Sequence, residues 1–160
     1  MVLLADTREQ ENDHILDYFD NKGIDVVEKG LKTGDYSFGV KLEDGKKSFE
    51  NEIVVERKGS GNCGLTELSG NLFQKRELFE QELTRSQDMN FFLLIENADW
   101  YRLLNGMYDT DADVESYLGT IQTFRHRYDM SIDFIDKRYS GKWLYSLFKY
   151  YIREREWLDE

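Results

Sequence analysis

A single cysteine, Cys63, is the only thiol in the chain, so no internal disulfide can staple the fold, and a reducing compartment suits it. Long apolar runs are missing too. The opening MVLLADTRE is too short in apolar residues for a secretion signal, and no segment approaches the roughly 20 residues that cross a bilayer. The expectation is a soluble, intracellular protein with no membrane association. Internal repeats and low-complexity linkers are absent, and so is proline, for which we have no physical account. Positive charge is scarce: 21 Lys and Arg stand against 32 Asp and Glu, a net charge of -11. That argues against a generic nucleic-acid coating protein, which needs a basic surface. An enzyme acting on nucleic acid stays open, because a metal site needs carboxylates and substrate contact can be confined to a local basic patch.

The residues present describe a folding chain. Hydrophobic residues make up 40% and aromatics 14% of 160 positions, enough for one domain over 1–160 with a buried core. Apolar runs at 2–5 and 24–30 predict strands, with a helix between them closed by Gly23. A third strand begins in TGDYSFGV, the Asp-Gly of LEDGKK signals a hairpin, and NEIVVERK at 51–58 is the returning strand. Residues 65–85 carry Leu65, Leu68, Leu72, Phe79 and Leu83 at helical spacing. NFFLLIE at 90–96 reads as a central strand buried on both faces. Two helices over 98–128, a strand at 131–136 and a terminal helix at 140–158 complete an α/β sandwich with a mixed sheet.

The strand IVVERK ends in three charges. Side chains alternate across a strand, so Glu56 and Lys58 share the face of Val54, and Arg57 points the other way. Asp35 begins the partner strand, and the twenty positions between it and Glu56 suffice for two strands and a connection. Antiparallel pairing then brings Asp35, Glu56 and Lys58 to one end of the sheet, with Asp6 reaching the same edge from the first strand. Carboxylates converging without histidine or cysteine form a hard oxygen site suited to Mg²⁺ or Mn²⁺, with the carbonyl of Arg57 as a further ligand. Such an ion acidifies water and neutralises charge on a phosphate oxygen, and a neighbouring lysine orients that water. The chemistry described is phosphodiester hydrolysis. An isolated Glu-x-Lys on a strand is usually a solvated cross-strand pair; its co-occurrence with Asp35 and Asp6 in hairpin order is what favours a site.

Three motifs, DTRE at 6–9, GDY at 34–36 and ERK at 56–58, resemble in order and spacing the nuclease domain of the XPF/Hef family of structure-specific DNA endonucleases. LLIE at 93–96 resembles the family's next core strand, and YSGKWLYSLFKYYIRE at 139–154 resembles the closing helix of short stand-alone members from phages and bacteria. The resemblance implies a restriction-endonuclease-like, PD-(D/E)xK fold, a mixed sheet flanked by helices. It implies Mg²⁺- or Mn²⁺-dependent cleavage of one strand near branches, flaps or junctions. It also implies Asp35 and Glu56 as metal ligands, Lys58 as the catalytic lysine, Asp6 and Arg8 in support, and Arg57 as the motif arginine.

Two departures matter. The family places an aspartate four positions after that lysine; Asn62 stands there, inside GSGNCG. Sliding the gap to LTEL puts Thr66 in its place with Glu67 beside it, so Glu67 substitutes or the position is lost. The tandem helix-hairpin-helix module of larger members is also absent, which leaves branch selectivity to the domain itself, to a homodimer or to a partner such as a helicase.

Other residues carry weaker signals. Lys75 or Arg76 interrupts the stripe of the 65–85 helix, either snorkelling at the core edge or, for Arg76, leaning toward the scissile phosphate. FRHRY at 124–128 and DKRYSGK at 136–142 are the remaining basic clusters. His14 and His126 read as surface or capping residues, and Cys63 as a spectator thiol. On the terminal helix Trp143, Tyr145 and Tyr150 fall outside the apolar stripe, which suggests homodimerisation there. The leading expectation is a metal-dependent endonuclease for branched, flap or junction DNA. The alternatives are a non-catalytic subunit of the same fold that binds DNA or a partner, and a Holliday-junction resolvase or restriction-type nuclease.

Overall fold

The computed structural model describes the backbone of residues 1–158, with side chains described through Arg155. Its strands are β1 (Val2–Asp6), β2 (Val26–Lys29), β3 (Tyr36–Leu42), β4 (Gly45–Ser48), β5 (Ile53–Lys58), β6 (Asn90–Glu96) and β7 (Ser131–Ile135). Its helices are α1 (Asp13–Asn21), α2 (Gly64–Ser69), α3 (Arg76–Arg85), α4 (Trp100–Leu104), α5 (Val114–Tyr128) and α6 (Ser140–Leu158). The strands form one mixed sheet in the order β2-β1-β3-β5-β6-β7, with β4 paired to β3 alone. β1 and β2 are parallel, as are β5, β6 and β7, and β3 runs antiparallel to both groups.

Strand alternation sorts the core into two layers. Val54, Leu93 and Ile95 face α2, α3 and α5, packing on Leu65, Leu68, Phe79, Tyr117 and Phe124. Ile53, Val55 and Leu94 face α1 and α6, packing on Ile15, Phe19, Leu144 and Phe148. Burial on both faces is why β5 and β6 read as unbroken apolar runs. Burying each of these large side chains contributes about 1.5–3 kcal/mol. Helix α1 ends where Gly23 adopts φ +70°, a left-handed stop. Asp99 and Asp113 cap α4 and α5 by accepting from the backbone N–H of Arg102 and Ser116.

Three expectations are corrected. The Asp-Gly hairpin returns through β4, an exposed Gly-Lys-Lys-Ser strand, rather than directly through β5. Its lysines suit an edge that must not recruit other strands. Residues 65–85 are not one helix: a π-helical turn at Gly70–Gln74, closed by the N–H of Lys75 on the carbonyl of Gly70 at 2.8 Å, separates α2 from α3. On α6, two of the three surplus aromatics are used inside the chain. Trp143 packs edge-on to Phe92, and Tyr145 against Tyr18 and Phe19. Only Tyr150 remains exposed, so the aromatic argument for self-association rests on one ring. Among the described residues no helix is long and apolar enough to cross a membrane.

Candidate active site

The three charges closing β5 are all buried: Glu56, Arg57 and Lys58 are 8%, 5% and 5% exposed. Lys58 Nζ donates to Glu56 Oε1 at 2.7 Å. Asp35 sits just before β3. Its N–H donates to the carbonyl of Val55, and its Oδ2 accepts from the N–H of Arg57, both at 2.8 Å. Peptide groups alternate along a strand, so the carbonyl of Arg57 looks out over the same edge as its N–H, beyond the start of β3. The turn that delivers Asp35 requires glycine: Gly34 has φ +74°, and a Cβ there would lie 2.8 Å from Val54 Cβ. Its N–H donates to Glu82 Oε1 on α3 at 3.2 Å.

Electrostatics make this rim unusual. Burial, then the charges of Glu56 and Glu9, push Asp35 well above the ordinary carboxylate value, against Lys58 and the Arg57 N–H. Burial also raises Glu56; Lys58 opposes the rise and Glu82 adds to it. Glu56 and Asp35 lie close enough that each perturbs the other's titration. Burial pulls Lys58 down, but Glu56 and Asp35 outweigh it, and the amine stays firmly cationic.

Two converging carboxylates that resist joint ionisation fit a divalent cation, which relieves the repulsion a proton otherwise relieves. Among the described residues no three His, Cys, Asp or Glu side chains are grouped to hold a metal. Two carboxylates, completed by a backbone carbonyl and solvent, would suit Mg²⁺ better than Ca²⁺ or Zn²⁺.

The remaining expected residues divide. Asp6 does not point its carboxylate into the pair: Oδ1 accepts from the N–H of Leu31 at 2.9 Å and Oδ2 from Arg8 Nε at 2.7 Å. Burial pushes Asp6 up, but Arg8 and the Leu31 N–H win and lower it. Arg8 is otherwise exposed and lies within the field of Asp35 and Glu56. Glu67 joins neither carboxylate. Its Oε2 accepts from the N–H groups of Gly59 and Ser60, both at 2.8 Å, and from Ser60 Oγ, fixing the loop after β5. Arg76 does not lean toward the pair: it reaches Glu80 at 3.6 Å and lies 5.0 Å from the Phe124 ring. Lys75 is exposed at the π-helical turn.

Behind the rim lies a network that sequence reasoning missed. Arg57 Nε donates to Glu9 Oε2 at 2.7 Å, Nη1 to Glu96 Oε1 at 2.6 Å, and Nη2 to the carbonyl of Gln10 at 2.6 Å. Tyr36 O–H also donates to Glu9, and Ser140 Oγ to Glu96. His14 is no surface residue, since its Nε2 lies 2.6 Å from Glu96 Oε2. Glu96 carries a legible signal, a charge ending an otherwise apolar strand, the same clue that singled out Glu56. Glu82 carries none, being one of several acids on α3.

Comparison with known proteins adds a family. The ERCC4 domain family matches residues 5–147. The chain belongs to the ERCC4 domain family. No curated protein matches it in sequence. Among solved structures, XPF from Aeropyrum pernix aligns at TM-score 0.63 and 17% identity, over 93% of this chain and 60% of that one. A second structure of XPF from Aeropyrum pernix, in complex with DNA, aligns at TM-score 0.63 and 21% identity, over 95% and 65%. The chain thus spans less than two thirds of those XPF chains. At these identities the likeness shows the fold, a restriction-endonuclease-like mixed sheet flanked by helices. In this ERCC4 domain, the rim of Asp35, Glu56 and Lys58 falls inside the matched residues.

Proposed function

We propose that this ERCC4 domain is a divalent-metal-dependent endonuclease that hydrolyses phosphodiester bonds in branched, flap or junction DNA. The observation that carries the reading is the convergence of Asp35, Glu56 and Lys58 on one buried rim, with both carboxylates held above their ordinary values. Family membership supports the same conclusion.

In this reading Asp35, Glu56 and the carbonyl of Arg57 hold Mg²⁺ or Mn²⁺. When bound, the ion supplies Lewis acidity toward the phosphodiester and its attacking water. Lys58, cationic and anchored on Glu56, orients that water and offsets negative charge building on the phosphate. Arg8, exposed beside the rim, contacts a neighbouring phosphate. Asp6 positions Arg8, and Glu9 and Glu96 hold Arg57 so that its peptide group stays aligned with Asp35.

The test incubates the whole chain with labelled flap, fork, four-way, single-stranded and duplex DNA, with and without Mg²⁺ or Mn²⁺. Cleavage requiring metal and favouring branched substrates is expected. Lys58→Ala should lower the single-turnover rate roughly 100- to 1000-fold, and Asp35→Asn should abolish both cleavage and Mn²⁺ binding. Mn²⁺ binding without cleavage of any substrate would instead support a non-catalytic subunit of the same fold.

A further inference from the structure

The outer side of α6 carries the charge that the molecule as a whole lacks. Lys142, Lys149 and Arg153 fall within about 40° of one another around the helix, and Lys142 to Arg153 spans about 16 Å along its axis. All three are exposed, while Leu144 and Phe148 on the opposite side are buried. Lys22, at the end of α1, completes the row. Its ammonium lies 4.5 Å from the centroid of the Tyr145 ring, and that of Lys149 lies 5.8 Å from the same ring. Lys149 and Arg153 each lie 5.8 Å from the centroid of Tyr150, which is 49% exposed. Two rings therefore hold three cations side by side.

The ion pairs at this end of the molecule join Arg138 to Asp136 and Arg155 to Glu52; among the described residues Lys22, Lys142, Lys149 and Arg153 make none. In a chain of net charge -11, a clustered cationic row that makes no ion pair among the described residues is a surface suited to a polyanion. Aromatic rings interleaved with the cations suit one whose units also stack.

We propose that α6 and the end of α1 bind the sugar–phosphate backbone of a nucleic-acid strand, with Tyr150 offering its ring to a base. This rests on the nuclease reading and extends it to a second contact surface. Ser140, opening α6, hydrogen-bonds Glu96 beside Arg57, while Tyr151 and Arg155 reach Glu52 ahead of β5. The helix thus leads from the catalytic end of the sheet to the opposite end, on the face away from α2 and α3. DNA seated there lies on the face of the sheet opposite Glu56 and Lys58, so the row takes an arm of the substrate that is not cut.

The test measures binding of a fluorescent single strand and a flap duplex to the whole chain across a salt series, with Ca²⁺ replacing Mg²⁺. Replacing Lys142, Lys149 and Arg153 together by Gln should lower the slope of log affinity against log salt by about 2 for the single strand, with the melting temperature kept. Tyr150→Ala should weaken binding about tenfold and leave the slope in place. With Mg²⁺, the triple variant should raise KM and spare kcat. An unchanged slope and affinity in the triple variant overturn the proposal, even if the wild type cleaves. A reduced slope in the variant, together with a wild type that cuts nothing, sustains the surface and counts against the nuclease reading.

Discussion

Arg57 shows how one side chain can be fixed without touching the chemistry. Its guanidinium is 4% exposed and faces two carboxylates and a carbonyl, while its peptide N–H holds Asp35 on the other side of the strand. Glu96 is the pivotal partner, since it also accepts from Ser140 and meets His14. Burial raises Glu96, yet His14, Ser140 and Arg57 together lower it below the ordinary value, so the ionised form is what the site selects. Removing the charge leaves a buried guanidinium half-answered, and breaking a buried pair from one side costs about 3–5 kcal/mol. Glu96→Gln keeps the shape and some hydrogen bonds, so the lower end applies. The expected result is a melting-temperature drop matching about 3 kcal/mol in denaturant titration. Mn²⁺ affinity should weaken less than in Asp35→Asn. Equal stability of the variant and the wild type would show that the network is not what anchors Arg57.

Among the connecting segments, the loop between β5 and α2 matters most to the rim. A Cβ at Gly64 would meet the carbonyl of Lys58 at 2.2 Å, so α2 begins hard against the strand end that carries the lysine. Glu67 clasps the loop from inside α2, and its charge also favours protonated Lys58. Glu67→Ala removes three hydrogen bonds and a nearby negative charge at once. It should destabilise the protein by about 1–3 kcal/mol and slow single-turnover cleavage, measured by quenched flow, while leaving Mn²⁺ affinity near wild type. A matching loss of Mn²⁺ affinity would instead make Glu67 part of the ion's surroundings. This segment also shows where sequence reasoning stops. Period-2 alternation made the shared face of Glu56 and Lys58 legible because it follows from strand geometry alone, and antiparallel pairing of β3 with β5 brought Asp35 to them, although the hairpin itself closes through β4. Glu67 sat in an uncertain gap, and helical spacing does not say which polar side chain folds back on its own loop. His14, Glu82 and Ser140 were hidden for a deeper reason: they reach the site through tertiary packing of α1, α3 and α6, to which local periodicity is blind. The π-helical turn escaped because one added residue leaves the apolar spacing nearly intact.

For the molecule entire, opposite pKa shifts confine stability from two sides. Asp6 and Glu96 are lowered on folding. Their contribution is present above the ordinary carboxylate values and disappears as pH falls through the lowered ones. Asp35 and Glu56 are raised from 3.8 and 4.5. Their contribution is complete below those values and disappears as pH climbs through the raised ones, because the unfolded chain releases protons that the folded, metal-free rim would keep. Above the range in which Asp6 and Glu96 ionise, metal-free protein should therefore lose stability as pH climbs through the raised values of Asp35 and Glu56. If a divalent ion takes the place of those protons, as proposed, the stabilisation by Mn²⁺ should grow over the same interval, reaching about 2.7 kcal/mol when the free ion is at 100 times its Kd. Asp35→Asn removes one of the opposed charges while its side-chain oxygen can still accept from the Arg57 N–H. The variant should melt higher than the wild type at neutral pH in EDTA, show a flatter neutral limb, and gain nothing from Mn²⁺. Calorimetry at a series of pH values, with EDTA or Mn²⁺, resolves all three. A variant that melts lower in EDTA, or that keeps the Mn²⁺ shift, would mean the two carboxylates are not in conflict and the ion binds elsewhere.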